Sequence, residues 1–171
     1  MVFSAIRLSR RNRVGTLLNP DYLRSIIQIS IKPLDLWSQE AEELLLMTAA
    51  HESRMGTYTK QINGPAVSIY QIEPTTHTGT WHNYLHFRPN LVDKIEAVCG
   101  ASEPSIGQLR YNLIYSTIIA RIKYRRSPGS LPASSNVWGM ARYAKRFFNS
   151  PKGKATALDY YSSYMDLVIY C

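Results

Sequence analysis

Apolar residues recur at three- and four-residue spacing along most of this chain, and the rhythm stops in only a few places. Asn19-Pro20 reads as a helix start, with Asn able to cap and Pro preset for the first helical position. Tyr22, Leu23, Ile26 and Ile27 then form one apolar stripe, which Pro33 interrupts. Ser38 is placed to cap a second helix, whose start gathers Glu40, Glu42 and Glu43 where the helix dipole favours negative charge. Ala41, Leu44, Leu45, Thr48 and Ala49 give that helix one buried face, and Leu46, Met47 and Ala50 widen it, so it is expected to be central to the core. It runs into His51-Glu52-Ser53, where apolar periodicity ends.

Residues 54–80 are of another kind. Gly56, Gly64, Pro65, Pro74 and Gly79 punctuate a stretch rich in Thr, Tyr and Gln, which predicts loops, a short hairpin and one helical turn near Pro74. A helix is expected from Asn90 to a stop at Gly100. Ser105 can cap a longer one running to about Arg126, with Leu109, Leu113, Ile114, Thr117, Ile118, Arg121 and Ile122 on its apolar face. Residues 128–132 read as a loop, and helices near 135–149 and 156–169 complete a mainly α chain. The expected organisation is a basic arm over residues 1–18 and a single domain over residues 19–171.

Composition narrows the partners. With 45% hydrophobic and 19% charged residues, the chain resembles an ordinary globular domain, and no stretch approaches the roughly 18 apolar residues of a membrane span. Twenty basic against twelve acidic residues leave a net charge of +8, which attracts polyanions such as nucleic acid, anionic membranes or the bacterial envelope. Arg7, Arg10, Arg11 and Arg13 concentrate that charge near the start, as a solvated arm or as a docking arm. Basic residues follow the short apolar start rather than preceding it, so no export signal is expected. Cys99 and Cys171 fit no metal or redox spacing and are read as free thiols.

Glu52 is the candidate chemistry. A carboxyl that follows Leu44-Leu45-Leu46-Met47-Thr48-Ala49-Ala50 is partly desolvated, and desolvation raises its pKa. An acid that keeps its proton near neutral pH can protonate the poor leaving group of a glycosidic bond. The plain alternative is a charged residue at a helix end, although an acid there faces the negative end of the dipole. Residue types and spacing leave both readings open.

The stretch from Glu43 to Tyr84 resembles the soluble lytic transglycosylase and goose-type lysozyme group. The apolar helix ending in Glu52-Ser53 matches the place where that family carries its catalytic Glu before a Ser. Ala66-Val67-Ser68-Ile69-Tyr70-Gln71-Ile72-Glu73-Pro74-Thr75-Thr76 is similar to the family's small residue, Gly-Leu-Met-Gln-Ile, any residue, Pro, any residue, Thr. Ala141-Arg142-Tyr143-Ala144 resembles its late Ala-Tyr-Asn block. The wording is closer still to small virion-associated wall hydrolases of tailed bacteriophages, at Asn63-Gly64-Pro65-Ala66, at Gln71 to His77 and at Tyr143 to Pro151. Ser68 stands where the family has Gly, and Ser is less free to take positive φ. Ala144 stands where the family has Asn.

The resemblance implies a lysozyme-like helical domain with an irregular or hairpin segment after the catalytic helix. It implies cleavage of the bond between N-acetylmuramic acid and N-acetylglucosamine, with Glu52 acting first as acid and then as base, and needs no cofactor. It places Gln71 and Tyr143 at the sugar, with Tyr70 as a further contact. Two roles are open to Ser53: bonding Glu52 or substrate, or capping the helix end. Two are open to Glu73: activating a water opposite Glu52, or sitting in the first turn of a short helix beside Pro74. Among the candidate stacking aromatics Tyr58, Tyr70, Trp81 and Tyr84, only some are expected to face a ligand. His82 and His86 have i, i+4 spacing but no adjacent catalytic Glu, and no metal is expected. The partners implied are peptidoglycan glycan strands, other virion proteins and a second copy of the chain. The protein would be made in the host cytoplasm, carried in the virion and act in the envelope. The competing expectation is a structural, tail or ejection protein of the virion that keeps the fold with little activity.

Overall fold

The structure is a computed structural model, and it describes residues 18–149 and 153–171. The arginine-rich arm therefore lies outside the described residues except for Leu18, as do Ser150 and Pro151. Among the described residues the chain is mainly helical, without a regular strand. Its helices are α1 (Pro20–Ile31), α2 (Gln39–Ser53), α3 (Pro74–Asn83), α4 (Pro89–Cys99), α5 (Ile106–Tyr111), α6 (Leu113–Arg125), α7 (Val137–Phe147) and α8 (Ala157–Tyr164). A 3₁₀ turn, Leu85–Phe87, joins α3 to α4, and a π turn, Met165–Ile169, extends α8.

The caps expected at the first two helices form. Asn19 Oδ1 accepts from the Asp21 and Tyr22 amides at 2.8 and 3.3 Å, and Ser38 Oγ accepts from the Ala41 amide at 3.1 Å. α2 is buried on every side from Ala41 to Ala50, rather than on one widened face. α1, α6, α7 and α8 surround it. Thr48 is accommodated there because its hydroxyl bonds the Leu44 carbonyl and the Tyr124 hydroxyl, each at 2.7 Å.

The structure differs from the pattern in two elements. The helix expected from Ser105 to Arg126 is two helices. Asn112 leaves the helical region at φ −100°, ψ 108°, and its Oδ1 caps α6 at the Tyr115 amide, 3.1 Å away. Apolar spacing runs across that break because both helices face the same core. Second, Pro74 opens a ten-residue helix rather than a single turn, its Thr-rich sequence held by burial of His77, Thr80 and Trp81. The segment after α2 is the expected hairpin, tight and irregular, with antiparallel bridges pairing Lys60 with Val67 and Val67 with Ile72.

Glu42 and Glu43 are only 4% and 8% exposed. Arg24 of α1 donates to Glu42 Oε1 at 2.7 Å and to Glu43 Oε1 at 2.5 Å. Trp37 Nε1 donates to Glu42 at 2.7 Å and the Tyr164 hydroxyl to Glu43 at 2.6 Å. The network ties α1, the following loop and α8 to the start of α2.

Candidate active site

The chain turns sharply after α2. Arg54, Met55 and Gly56 all take positive φ (50°, 55° and 83°), and Ser53 Oγ closes the turn by donating to the Ala49 carbonyl and accepting from the Gly56 amide at 2.9 Å. Glu52 is thus held half-buried in the last turn of the core helix. The Tyr160 hydroxyl, from α8, donates a short hydrogen bond to Glu52 Oε1. Tyr160 is itself fixed by the ring of His51, 3.9 Å away between centroids, and by a Thr156–Asp159 capping box that starts α8.

Two lysines complete the surroundings. Lys123 of α6 donates to the Phe148 carbonyl at 2.6 Å and lies 3.9 Å above that ring. Lys145 of α7 donates to the Gly153 carbonyl at 2.8 Å. Burial pushes the Glu52 carboxyl above the usual carboxylate range; the Tyr160 bond and the two lysine charges pull it back in part. Burial likewise pulls the Lys123 ammonium down, and Glu52 and Glu73 push it up again. Both carboxylates are therefore within electrostatic reach of one ammonium. With Oε1 engaged by Tyr160, Oε2 has no partner among the described residues and is the oxygen left to carry a transferable proton.

Set against known proteins, the chain matches no family model, no curated protein and no solved structure. The reading of the site rests on its residues and geometry.

Gln71, at φ 47°, donates its amide to the Tyr58 and Ser68 carbonyls at 3.0 and 2.8 Å, so it clasps the hairpin and has its carbonyl oxygen left for a ligand. Glu73 is exposed and begins α3 as its N-cap residue without a side-chain cap bond. Two expected ligand contacts are corrected. Ser53 is fully buried and spends its hydroxyl on the turn, so of its two roles it takes the cap. Tyr70 is also fully buried, with its hydroxyl 3.3 Å from Thr117 Oγ1, and is a core residue with no face open to a sugar. Tyr143 is 8% exposed between Tyr124 and Phe147.

Among the stacking candidates, Tyr58 is exposed and Tyr84 is half-buried beneath the Arg88 guanidinium. Trp81 is core, donating to the Tyr115 hydroxyl at 2.7 Å. His82 and His86 border a recess of ≈ 340 Å³ with Asp93 and Glu103, and no group among the described residues assembles three or more potential metal ligands. Cys99 and Cys171 are free. No helix among the described residues is long and apolar enough to cross a membrane.

The sequence reading missed Tyr160, Lys123 and Lys145. Tyr160 lies 108 positions from the carboxyl it bonds, and an aromatic on a helical stripe carries no local mark of a polar partner.

Proposed function

We propose that this protein is a peptidoglycan-cleaving glycosidase of the lytic transglycosylase type with a lysozyme-like helical fold. Glu52 protonates the oxygen joining N-acetylmuramic acid to N-acetylglucosamine. As the glycosidic bond breaks, positive charge builds on the muramoyl ring. The Glu52 carboxylate then takes the proton from that ring's C6 hydroxyl, whose oxygen closes the anhydro bond, and the acid is regenerated. The observation that carries the reading is the Glu52 carboxyl itself: at the end of a helix buried from Ala41 to Ala50, raised in pKa by burial, one oxygen held by Tyr160 and the other without a hydrogen-bond partner among the described residues. Gln71 supplies an acceptor to an N-acetyl or hydroxyl group. Tyr160 acts as a positioning residue. The phage-like motifs and the net charge of +8 support carriage in the virion, where cutting the wall would assist genome ejection.

A second reading, a virion structural or ejection protein with little activity, is favoured by one feature: the Gln71 amide is spent within its own hairpin. Digestion of purified peptidoglycan by wild type and Glu52→Gln, with products weighed by mass spectrometry, separates the two. Anhydro-muropeptides from wild type, lost by at least about a thousandfold in Glu52→Gln, are expected. Their yield should fall as pH climbs through the raised Glu52 pKa, because the reacting form is the protonated one. Reducing-end products abolished by Glu73→Gln would make Glu73 the base for water. No products from folded wild type would favour the structural reading.

A further inference from the structure

Two arginines converge on one tyrosine ring, and neither belongs to the chemistry above. Tyr84 closes α3, Arg88 precedes α4 and Arg126 ends α6. The Arg88 guanidinium lies 3.7 Å from the centre of the Tyr84 ring, and the Arg126 guanidinium 5.9 Å from it. Arg88 Nη1 also donates to the Tyr84 carbonyl at 2.9 Å, and Arg126 Nη1 to Oγ1 of the buried Thr80 at 3.0 Å. Each guanidinium spends one of its five N–H donors on the fold and keeps the others at the surface, since both arginines are exposed. The ring and the hydrogen bonds hold the two heads before any ligand arrives, so less side-chain entropy is lost on binding.

No carboxylate lies within ion-pair distance of either arginine among the described residues. Two cations on one ring repel each other, and an anion between them would offset that repulsion. The recess that Asp93 and Glu103 border is lined by His82 and His86 and not by Tyr84, Arg88 or Arg126. The residue before Arg88 is Phe87, a large apolar ring that is 69% exposed. His86 meets it at 83° with centroids 5.0 Å apart. A T-shaped neighbour covers at most one face of a ring and leaves the other open.

We propose that Arg88, Arg126 and Phe87 form a binding surface for single-stranded nucleic acid, in which the two guanidiniums take the phosphodiester backbone and Phe87 stacks on a base. The guanidinium fork matches phosphate oxygens, and cations joined to an open aromatic face are the combination that holds single strands with little regard to sequence. A phosphate-bearing wall polymer or lipid headgroup would engage the arginines but offers no planar ring to Phe87. A duplex keeps its bases stacked on one another. The net charge of +8 adds long-range attraction for such a strand. The surface uses neither Glu52 nor Gln71 and stands apart from the glycosidase reading.

The test is a fluorescence-anisotropy titration of the full chain at low salt with three labelled probes, each of about twenty units: oligothymidylate, the abasic deoxyribose-phosphate strand of equal length, and the thymidylate annealed to its complement. Oligothymidylate is expected to bind at least about fivefold tighter than the abasic strand, and tighter than the duplex. Arg88→Gln and Arg126→Gln should each weaken binding and flatten its log–log salt dependence by about 0.7. Phe87→Ala should bring oligothymidylate down to the abasic level while leaving the salt dependence unchanged. Arg110→Gln removes an equal charge from beside another exposed ring, that of Tyr111, and should change affinity by less than about twofold. Phe87 and Arg88 are exposed, so their variants should melt with wild type and carry the test even if Arg126→Gln, which gives up its bond to Thr80, melts lower. Equal binding of thymidylate and abasic strands, equal or tighter binding of the duplex, or no binding at low salt would overturn the proposal. So would a loss in Arg110→Gln as large as that in Arg88→Gln, since net charge alone would then explain the affinity.

Discussion

Ser68 holds φ at +71° in the middle of the hairpin that carries Gln71, where the resembling family has Gly. A side chain in the left-handed region crowds its own backbone, at a cost of about 1–2 kcal/mol, and Gly avoids that crowding at an entropic cost of about 0.5–1 kcal/mol. Ser offsets part of the strain through its hydroxyl, which accepts from the Tyr70 amide at 3.3 Å. The hairpin thus keeps its left-handed turn despite the substitution. Ser68→Gly is expected to leave the fold unchanged and raise stability by roughly 0.5 kcal/mol, read as a higher urea midpoint with an unchanged slope. A lower midpoint would mean that the Ser68 hydroxyl contributes more than the backbone strain removes.

At the scale of elements, α2 depends on its neighbours for both of its ends. Its C-terminal turn sets Glu52 against Tyr160 of α8, and its N-terminal turn buries two adjacent acids. Those acids are tolerated because Arg24 of α1 reaches both, with Trp37 and Tyr164 satisfying further oxygens. Arg24→Met would leave two buried carboxylates without their cation and is expected to cost about 3 kcal/mol in chemical denaturation. Adding Glu42→Gln and Glu43→Gln to that variant should recover most of the loss. Failure to recover it would show that Arg24 acts through packing of its stem rather than through its charge. Tyr22, Leu23, Ile26 and Ile27 mark α1 as amphipathic in the sequence, but nothing in that stripe announces Arg24 as the partner of acids on the next helix.

Across the whole molecule, the second polar network lies far along the chain from the first. Trp81 donates to the Tyr115 hydroxyl oxygen at 2.7 Å, His77 Nε2 lies 2.6 Å from the same oxygen, and His77 Nδ1 is buried without a hydrogen-bond partner among the described residues. Burial pulls the His77 imidazole from 6.5 to about 4, so the folded protein holds it neutral. The unfolded chain binds that proton more readily. The His77 contribution to stability is therefore whole above pH 6.5 and is lost as pH falls toward about 4. Thermal melts of wild type should decline across that window, and His77→Gln should remove this part of the slope. An unchanged slope would assign the acid sensitivity to other groups.

What the sequence by itself determined is largely local. The caps at Asn19 and Ser38, the burial of α2, the irregular stretch after it and the candidacy of Glu52 follow from nearest-neighbour chemistry and from spacing within one helix. The break at Asn112 was hidden because two helices facing one core keep a common apolar period. Only the tertiary structure decided that Tyr70 packs, since its hydroxyl's partner, Thr117, is brought to it by the fold. It also brought Tyr160, Lys123 and Lys145 around Glu52 from three different helices. Desolvation and charge act through space, so the environment that tunes a carboxyl is set by packing between elements and leaves little trace in the order of residues along any one of them.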